Sequence, residues 1–166
     1  APGALGLRTL ETIVESGKAC VDISFLPEDP RHLADTAEKT GACVVYDMGV
    51  APGMSNLLAM HETQRLSRVD RVRILVGGLP RARRKPFEYK AGFSPADVLE
   101  EYTRPARIRR AGAIRTLPAL SEIETFEAPG VGTLEAFLTD GLRSLLDAID
   151  CPDMEEKTIR YPGHAA

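Results

Sequence analysis

The sequence predicts an α/β fold in two parts, a parallel α/β unit over residues 1–66 and a mixed, α+β-like domain over residues 67–166. Helix-like and strand-like segments alternate in the first part, which is the order of a parallel sheet with right-handed crossovers. Strand-like segments joined by short turns dominate the second part, which indicates antiparallel or mixed pairing. The 166 residues, 43% hydrophobic and 27% charged, are enough for one domain or two small ones with a packed core.

The first part is predicted to run helix, strand, helix, strand, helix. Apolar residues from Leu5 to Val14 recur at near-helical spacing, and Gly17 suits the position just after a helix. Asp29 and Pro30 are typical of an N-cap and a first helical position. The predicted elements are a helix ending before Gly17, a strand over 19–25, a helix from Asp29 to about Gly41, a strand over 42–47 and a helix after Pro52-Gly53.

The second part is predicted to be rich in strands. Alternation of Phe87, Tyr89, Ala91 and Phe93 with polar or small residues indicates a half-buried strand. The predicted strands are 69–76, 87–93, 106–110, 113–117, 123–127, 133–138 and one around 157–161. In the last of these, Lys157, Ile159 and Tyr161 lie on one face and Thr158 and Arg160 on the other. The predicted helices begin at Ser94, which acts as the N-cap with Asp97 at N3, and at Asp140-Gly141.

Composition and charge exclude several classes of protein. The 21 Lys and Arg against 24 Asp and Glu give a net charge of −3, which argues against a nucleic-acid partner. No apolar run approaches the roughly 20 residues that span a bilayer, so we expect no membrane partner. Cys20, Cys43 and Cys151 are an odd number in apolar contexts, which indicates buried thiols and a cytoplasmic location.

Several familiar motifs are missing from the sequence. A dinucleotide-binding G-x-G-x-x-G between a strand and a helix is not present, and His32, His61 and His164 are scattered without zinc spacing, so we expect no metal. The chain opens on Ala1-Pro2-Gly3 without an initiator Met, and we expect it to be an excerpt of a longer protein. The basic run over residues 81–85 is interpreted as a solvated loop, with an anion site as the alternative.

Three segments carry candidate chemistry. Asp47 closes an apolar strand directly before a Gly- and Pro-shaped turn; it is either a ligand residue at the carboxyl end of a parallel sheet or a capping residue. Tyr102 and Arg104 leave a helix together at a Pro stop. His164 follows Pro162-Gly163 after a strand, and is either held at a cleft mouth or part of a loose tail.

Five segments together resemble the saccharopine dehydrogenase family, and within it the lysine 6-dehydrogenase branch is the nearest likeness. YDMGVAPG, LEAFLTDGLR and KTIRYPGH are specific in combination. The segments are VDISFLPEDP (21–30), YDMGVAPGMSNLLA (46–59), FSPADVLEEYTRPARI (93–108), GTLEAFLTDGLRSLL (132–146) and EKTIRYPGH (156–164).

The resemblance implies a two-domain oxidoreductase that binds NAD or NADP. Residues 1–66 would be the second half of its Rossmann domain, without the glycine motif that holds the phosphates, and residues 67–166 most of its substrate and dimerisation domain. The residues it implies at the cofactor are Asp22 and Phe25, beside Val21 and Ile23, and Gly49, Pro52 and Gly53.

The implied reaction is oxidation of an amine, in which hydride passes from the carbon bearing nitrogen to nicotinamide and gives an imine that water opens to a semialdehyde. The amine must be neutral, so a proton acceptor near neutral pH is required. His164 is the first candidate because imidazole exchanges a proton in that range, and Asp47 or Tyr102 could assist. Arg binds a substrate α-carboxylate bidentately. The substrate-binding candidates are Arg104, Asp140, Arg143 and Arg160.

The sequence therefore predicts a fragment of an NAD(P)-dependent dehydrogenase acting on lysine or a lysine-derived amino acid, as a homodimer. The alternatives are a saccharopine or carboxynorspermidine dehydrogenase or synthase, which makes the same hydride transfer on a secondary amine, and a non-catalytic dimerisation module.

Overall fold

A computed structural model of the chain describes residues 3–165. The chain divides into two compact units, Ala1–Leu58 and Ala59–Ala166. One helix, α3 (Met54–Thr63), runs across that division. The assignment of residues 1–66 to a nucleotide-binding half and 67–166 to a substrate domain stays a prediction. Ala1 and Pro2, on which the expectation of an excerpt depends, lie outside the described residues.

The first unit has the predicted order of helices and parallel strands. Cys20 pairs with Val44 and Val21 with Val45, both in parallel register. Each strand is two residues long, shorter than predicted, and the Asp22 N–H donates to Val45 O just beyond the paired residues. The elements are α1 (Gly3–Glu15), β1 (Cys20–Val21), a 3-10 turn (Pro30–Leu33), α2 (Ala34–Thr40) and β2 (Val44–Val45).

Capping residues set the bounds of these short elements as the sequence predicts. The Asp29 carboxylate accepts a hydrogen bond from Arg31 N–H at 2.9 Å, and Pro30 occupies the first position of the turn. Gly41 ends α2 with a φ of 73°, a left-handed conformation that glycine adopts without strain. Leu10, Val14 and Leu26 form the core of the unit.

The second unit contains a mixed sheet, as predicted, with six strands where seven were predicted, and two helices. Its order is β5-β4-β8-β7-β6, with antiparallel neighbours, and β3 pairs with β8 in parallel. The elements are β3 (Arg71–Val76), α4 (Pro95–Thr103), β4 (Ala106–Arg110), β5 (Ala113–Leu117), β6 (Glu124–Ala128), β7 (Gly132–Leu138), α5 (Leu145–Ala148) and β8 (Asp153–Arg160).

Strand β8 lies at the centre of this sheet. Residues 153–158 pair with β3 along one edge, while β4 pairs at Met154 and β7 pairs with residues 157–160 along the other. Polar residues of β8 are consequently buried, among them Glu155, Glu156, Lys157, Thr158 and Arg160. Buried charges are costly unless they are paired or neutralised, so this strand is where unusual chemistry is expected.

Two predicted elements are wrong. No strand forms over residues 87–93: Phe87 and Phe93 are 69% and 55% exposed, so the alternation does not reflect a buried face. The helix predicted from Asp140-Gly141 begins only at Leu145. Arg143 has a φ of 47°, which an α-helix does not allow, and the Gly141 amide donates to the Glu156 carboxyl group instead of remaining free at a helix start.

The core of the second unit lies between β3, β8 and the segment around α5. Its buried residues are Val72, Leu142, Leu145, Leu146, Ile149, Cys151 and Met154. Cys151 is buried as expected, whereas Cys20 is half-buried and Cys43 is exposed beside the short strand β2, so the expectation of buried thiols holds for Cys151 alone. Among residues 3–165, no helix has both the length and the apolar character needed to cross a membrane.

Candidate functional site

Helix α4 places polar side chains at one end of the six-stranded sheet of the second unit. Ser94 caps the helix, with its hydroxyl 3.4 Å from Asp97 N, and Pro95 begins it. Pro105 follows the last turn and prevents its continuation. The start and stop are as predicted, and they place Glu101 and Tyr102 in the final turn.

The structure brings three predicted site residues together at this end. The Tyr102 hydroxyl oxygen lies 2.9 Å from His164 Nε2. Arg160 Nε donates to the same oxygen at 2.8 Å. Tyr102, Arg160 and His164 come from the end of α4, the end of β8 and the turn that follows β8.

One hydrogen position in this group follows from its donors and acceptors. Arg160 can only donate, so the Tyr102 oxygen accepts from it, while the Tyr102 hydroxyl keeps one hydrogen of its own. His164 Nδ1 lies 3.0 Å from the Phe87 carbonyl oxygen, which can only accept, so Nδ1 carries a hydrogen. With the imidazole neutral, Nε2 is an acceptor and receives the Tyr102 hydrogen.

Aromatic rings surround the group. The Arg160 guanidinium lies over Tyr89, 4.2 Å from the ring centroid. The His164 ring stacks on the buried Phe137 and meets Tyr89 and Tyr102 edge to face. Burial raises the pKa of Tyr102 to about 12, although the charge of Arg160 opposes the rise. Tyr102 therefore stays a hydroxyl donor at neutral pH.

His164 is held by the strand beside it. The Glu135 carboxylate of β7 accepts from Gly163 N–H at 2.7 Å and from Ala165 N–H at 2.8 Å. These two bonds bracket His164 and fix the turn that carries it. Glu135 is one of the residues that sequence reasoning missed.

The other three substrate-binding candidates form a second group. Arg107 Nε and Nη2 each lie 3.1 Å from an oxygen of Asp140, and Arg143 Nη1 lies 3.6 Å from it. Arg104 pairs with Glu100 at 3.1 Å, and burial lowers the pKa of its guanidinium, with the charge of Arg143 adding to the effect. Arg107, which the sequence did not single out, is the most exposed of these arginines.

A buried polar chain lies behind Tyr102. Its oxygens run from Glu156 through Thr139 and Thr158 to Glu101, with successive distances of 2.7, 2.8 and 2.6 Å. Sequence reasoning missed Glu101, Thr139 and Glu156. The only signal in the sequence was strand alternation, which put Thr158 and Arg160 on the same face of β8. Thr158 and Arg160 do both contact Glu101.

The remaining candidates lie in the first unit. Asp47 is buried at the end of β2 with a φ of 55°, and Met48 N–H donates to Asp22 O. A Cβ atom on Gly53 would overlap the Gly49 backbone, so the turn that contains Pro52 needs glycine there. Phe25 is half-buried.

One feature of Asp22 fits a bound cofactor. Its Oδ1 accepts from the Ser24 hydroxyl at 2.7 Å, whereas its Oδ2 is buried without a partner. A buried, unpaired carboxylate oxygen suits a ligand that brings an N–H donor, such as the carboxamide of nicotinamide. Within the described part of the chain, no group of three or more His, Cys, Asp or Glu side chains could hold a metal ion.

Comparison with known proteins gives a consistent set of relatives. Residues 49–166 match the family model of the saccharopine dehydrogenase C-terminal domain. Alpha-aminoadipic semialdehyde synthase of Arabidopsis thaliana is 26% identical over 119 residues, which are 68% of this chain and 11% of that protein. The mitochondrial alpha-aminoadipic semialdehyde synthase of Bos taurus is 24% identical over 171 residues, covering 89% of this chain and 18% of that protein.

A solved structure shows the same fold. Apo saccharopine dehydrogenase (L-Glu forming) from Saccharomyces cerevisiae superposes with a TM-score of 0.74 at 18% identity, over 99% of this chain and 40% of that one. The chain thus spans less than half the length of each of these three proteins. Tyr102, Arg160 and His164 all lie inside the segment that the family model matches.

Proposed function

Because the chain belongs to the saccharopine dehydrogenase C-terminal domain family, we propose that it forms the substrate-binding part of an NAD(P)-dependent dehydrogenase that oxidises the C–N bond of lysine or a lysine-derived amino acid. Relatives of this family are oxidoreductases acting on CH–NH groups. The observation that carries the proposal is the hydrogen bond between the Tyr102 hydroxyl and His164 Nε2.

The proposed role of this pair is to take the proton of the substrate amine. The amine proton passes to the Tyr102 oxygen as the Tyr102 hydrogen passes to His164 Nε2, so one proton enters and the net charge gained sits on the imidazole. The hydrogen bond from Nδ1 to Phe87 O keeps the ring oriented throughout. Arg160, whose guanidinium already contacts Tyr102, Tyr89 and Glu101, supports the tyrosine.

The substrate carboxylate is proposed to bind at the arginine group. Arg107 is 42% exposed and pairs with Asp140, and an exposed guanidinium can bind a planar anion such as a carboxylate. Arg104 and Arg143 add positive charge from the buried side. Asp140 in this proposal orients the arginines.

The cofactor, when bound, accepts the hydride. The residues proposed to hold its nicotinamide end are Asp22, Phe25 and the turn at Gly49, Pro52 and Gly53, and Asp47 supports that turn. NAD or NADP as the cofactor, cytoplasmic location and a homodimer remain parts of the proposal. Val21 and Ile23 are apolar but 67% and 70% exposed, which supports the proposal that another polypeptide surface packs against this unit.

A second candidate is oxidation of a secondary amine of the saccharopine type. One relative of known structure favours it, because that protein is a saccharopine dehydrogenase that forms L-Glu. The hydride and proton transfers would be the same, and the leaving group would be glutamate instead of ammonia.

Reduction of NAD or NADP by the purified full-length protein tests the proposal. Lysine and saccharopine are offered separately, with absorbance of the reduced nicotinamide as readout and product analysis for ammonia or glutamate. Ammonia release supports the first candidate and glutamate release the second. No reduction with either amine, from a protein shown to be folded, would leave the non-catalytic module as the explanation.

A further inference from the structure

Four side chains behind Tyr102 are joined by three short contacts between oxygens. Glu101 Oε1 lies 2.6 Å from Thr158 Oγ1, Thr158 Oγ1 lies 2.8 Å from Thr139 Oγ1, and Thr139 Oγ1 lies 2.7 Å from Glu156 Oε2. Thr139, Glu156 and Thr158 are buried. Each of these distances is a hydrogen-bond distance, and each needs a hydrogen between its two oxygens.

The number of hydrogens decides the charge of the chain. Three contacts require three hydrogens, and the two threonine hydroxyls supply two. If both carboxyl groups were ionised, one pair of buried oxygens would face each other without a hydrogen between them. One of the two glutamates must therefore carry a proton.

The surroundings place that proton on Glu156. Glu101 Oε1 lies 3.6 Å from Arg160 Nη2, which favours the ionised form of Glu101. Glu156 is 1% exposed, and among the described residues it forms no ion pair. The groups that face it are Glu101 on α4, Asp140 and the Gly141 amide after β7, Thr139, Thr158 on its own strand and the apolar Ile74 on β3.

We propose that Glu156 is a protonated carboxyl group at one end of a proton-sharing chain, Glu156–Thr139–Thr158–Glu101, and that this chain positions Arg160 and, through it, Tyr102. Glu156 donates to Thr139, Thr139 to Thr158 and Thr158 to ionised Glu101, which holds Arg160. The protonation stands on hydrogen counting alone, whereas the positioning role rests on the proposed function. Burial raises the pKa of Glu156 to about 8, which agrees with the count.

The hydrogen bonds of the proton-sharing chain Glu156–Thr139–Thr158–Glu101 can also point in the opposite direction. If Glu101 receives a hydrogen from Thr158, Thr158 one from Thr139 and Thr139 one from Glu156, the net effect moves one proton from Glu156 to Glu101. Three O–H bonds break and three form, and no proton leaves the chain. Glu101 would then be neutral beside Arg160, and the hold on the guanidinium would weaken.

Carbon-13 NMR of the glutamate side-chain carboxyl carbons in the purified protein tests the protonation. We expect Glu156 to titrate with a midpoint near pH 8. Glu156→Gln assigns the signal; if that variant does not fold, the signal is assigned from its shift in Thr139→Ser. A Glu156 resonance that titrates below about pH 6, in the range of ordinary carboxyl groups, would overturn the proposal.

Thr139→Val and Thr139→Ser form a matched pair for the positioning role. Valine removes the hydroxyl and breaks the chain, whereas serine keeps it. Below about pH 7, where Glu156 keeps its proton, the carbon-13 resonance of the Tyr102 ring carbon that bears the hydroxyl should shift with valine and stay at its wild-type position with serine. Equal Tyr102 resonances in the two variants would refute positioning. Neither measurement needs turnover, so a failure of the dehydrogenase proposal would leave both results interpretable.

Discussion

The Tyr102 hydroxyl and His164 Nε2 are 2.9 Å apart although the two residues are separated by 62 positions in the chain. Arg160 donates to the same hydroxyl, so the tyrosine oxygen is already an acceptor. When the imidazole is neutral, its Nε2 accepts the tyrosine hydrogen, and the pair can receive a proton.

His164→Gln should lower kcat of the full-length protein by roughly 10²–10⁴-fold, the usual contribution of a general base, with little change in KM. The acid limb of the pH profile, scanned from about pH 6 to about pH 10, should change because the imidazole proposed to take the amine proton has gone. Tyr161→Phe is the control, since its hydroxyl only donates to the Pro80 carbonyl. If kcat falls by less than about threefold, His164 is not the general base, and Asp47 or Tyr102 becomes the candidate.

Tyr102 should resist ionisation far into the alkaline range. Its pKa is raised to about 12 by burial, so the difference between wild-type and Tyr102→Phe ultraviolet titrations should show a step near pH 12. Because the folded protein keeps this proton where an unfolded tyrosine has lost it, stability should fall as pH rises from about 10 to about 12. A step near pH 10 would mean that water reaches the hydroxyl.

Much of the second unit could be predicted because its strands carry their own signals. Residues 106–110 and 113–117 pair across a turn at Gly112, and 132–138 begins after another glycine turn. The strand predicted over 87–93 failed because alternation of aromatic residues can also arise in a loop. Only Tyr89 of that segment packs inward on Arg160 and His164.

The site could be predicted only where motifs pointed at it. Tyr102, Arg160 and His164 were found in recognisable segments, and their contact depends on which strands neighbour β8. Glu156 looks like an ordinary charged residue in sequence, since nothing local shows that β8 is central. Its role follows from pairing with β3 and β7, which are distant in the chain.

Glu155 should be the most sensitive ion-pair residue of the sheet. Its buried carboxylate contacts Arg73 at 2.9 Å, Arg110 at 2.6 Å and Arg71 at 3.4 Å. Glu155→Gln removes the buried anion that the three arginines share, although Arg73 keeps Glu124 and Arg110 keeps Glu122, and should lower the free energy of unfolding measured with urea by about 3 kcal/mol. Arg71→Met, at a side chain that is 60% exposed, should cost less than about 1 kcal/mol. An equal loss of unfolding free energy in the two variants would show that the Glu155 carboxylate is solvated.

Gly53→Ala should destabilise the first unit. Its φ of 138° and the overlap of a Cβ atom with Gly49 leave no relaxed position for alanine, so we expect a loss of about 1–3 kcal/mol. Gly78→Ala is the matched control, because a Cβ there meets nothing within 4 Å. If the turn also holds the nicotinamide end, calorimetry on the full-length protein should show weaker NAD(P) binding for Gly53→Ala alone. Unchanged affinity and stability would remove this turn from the cofactor proposal.

Glu156 should impose a pH dependence on folding with a defined sign. Burial raises its pKa from 4.5 to about 8, so between those values the folded protein binds a proton that the unfolded chain has released. The free energy of unfolding should therefore fall as pH rises through this window, by up to about 1.4 kcal/mol per pH unit, and level off above pH 8. Glu156→Gln carries no titrating proton and should flatten the dependence, whereas Glu127→Gln, at an exposed position on β6, should keep it. The free energy of unfolding is measured with urea at several pH values for each variant. The difference between variants cancels the contribution of the other titrating groups. Parallel curves for wild type and Glu156→Gln would mean that Glu156 is ionised in the folded protein at neutral pH.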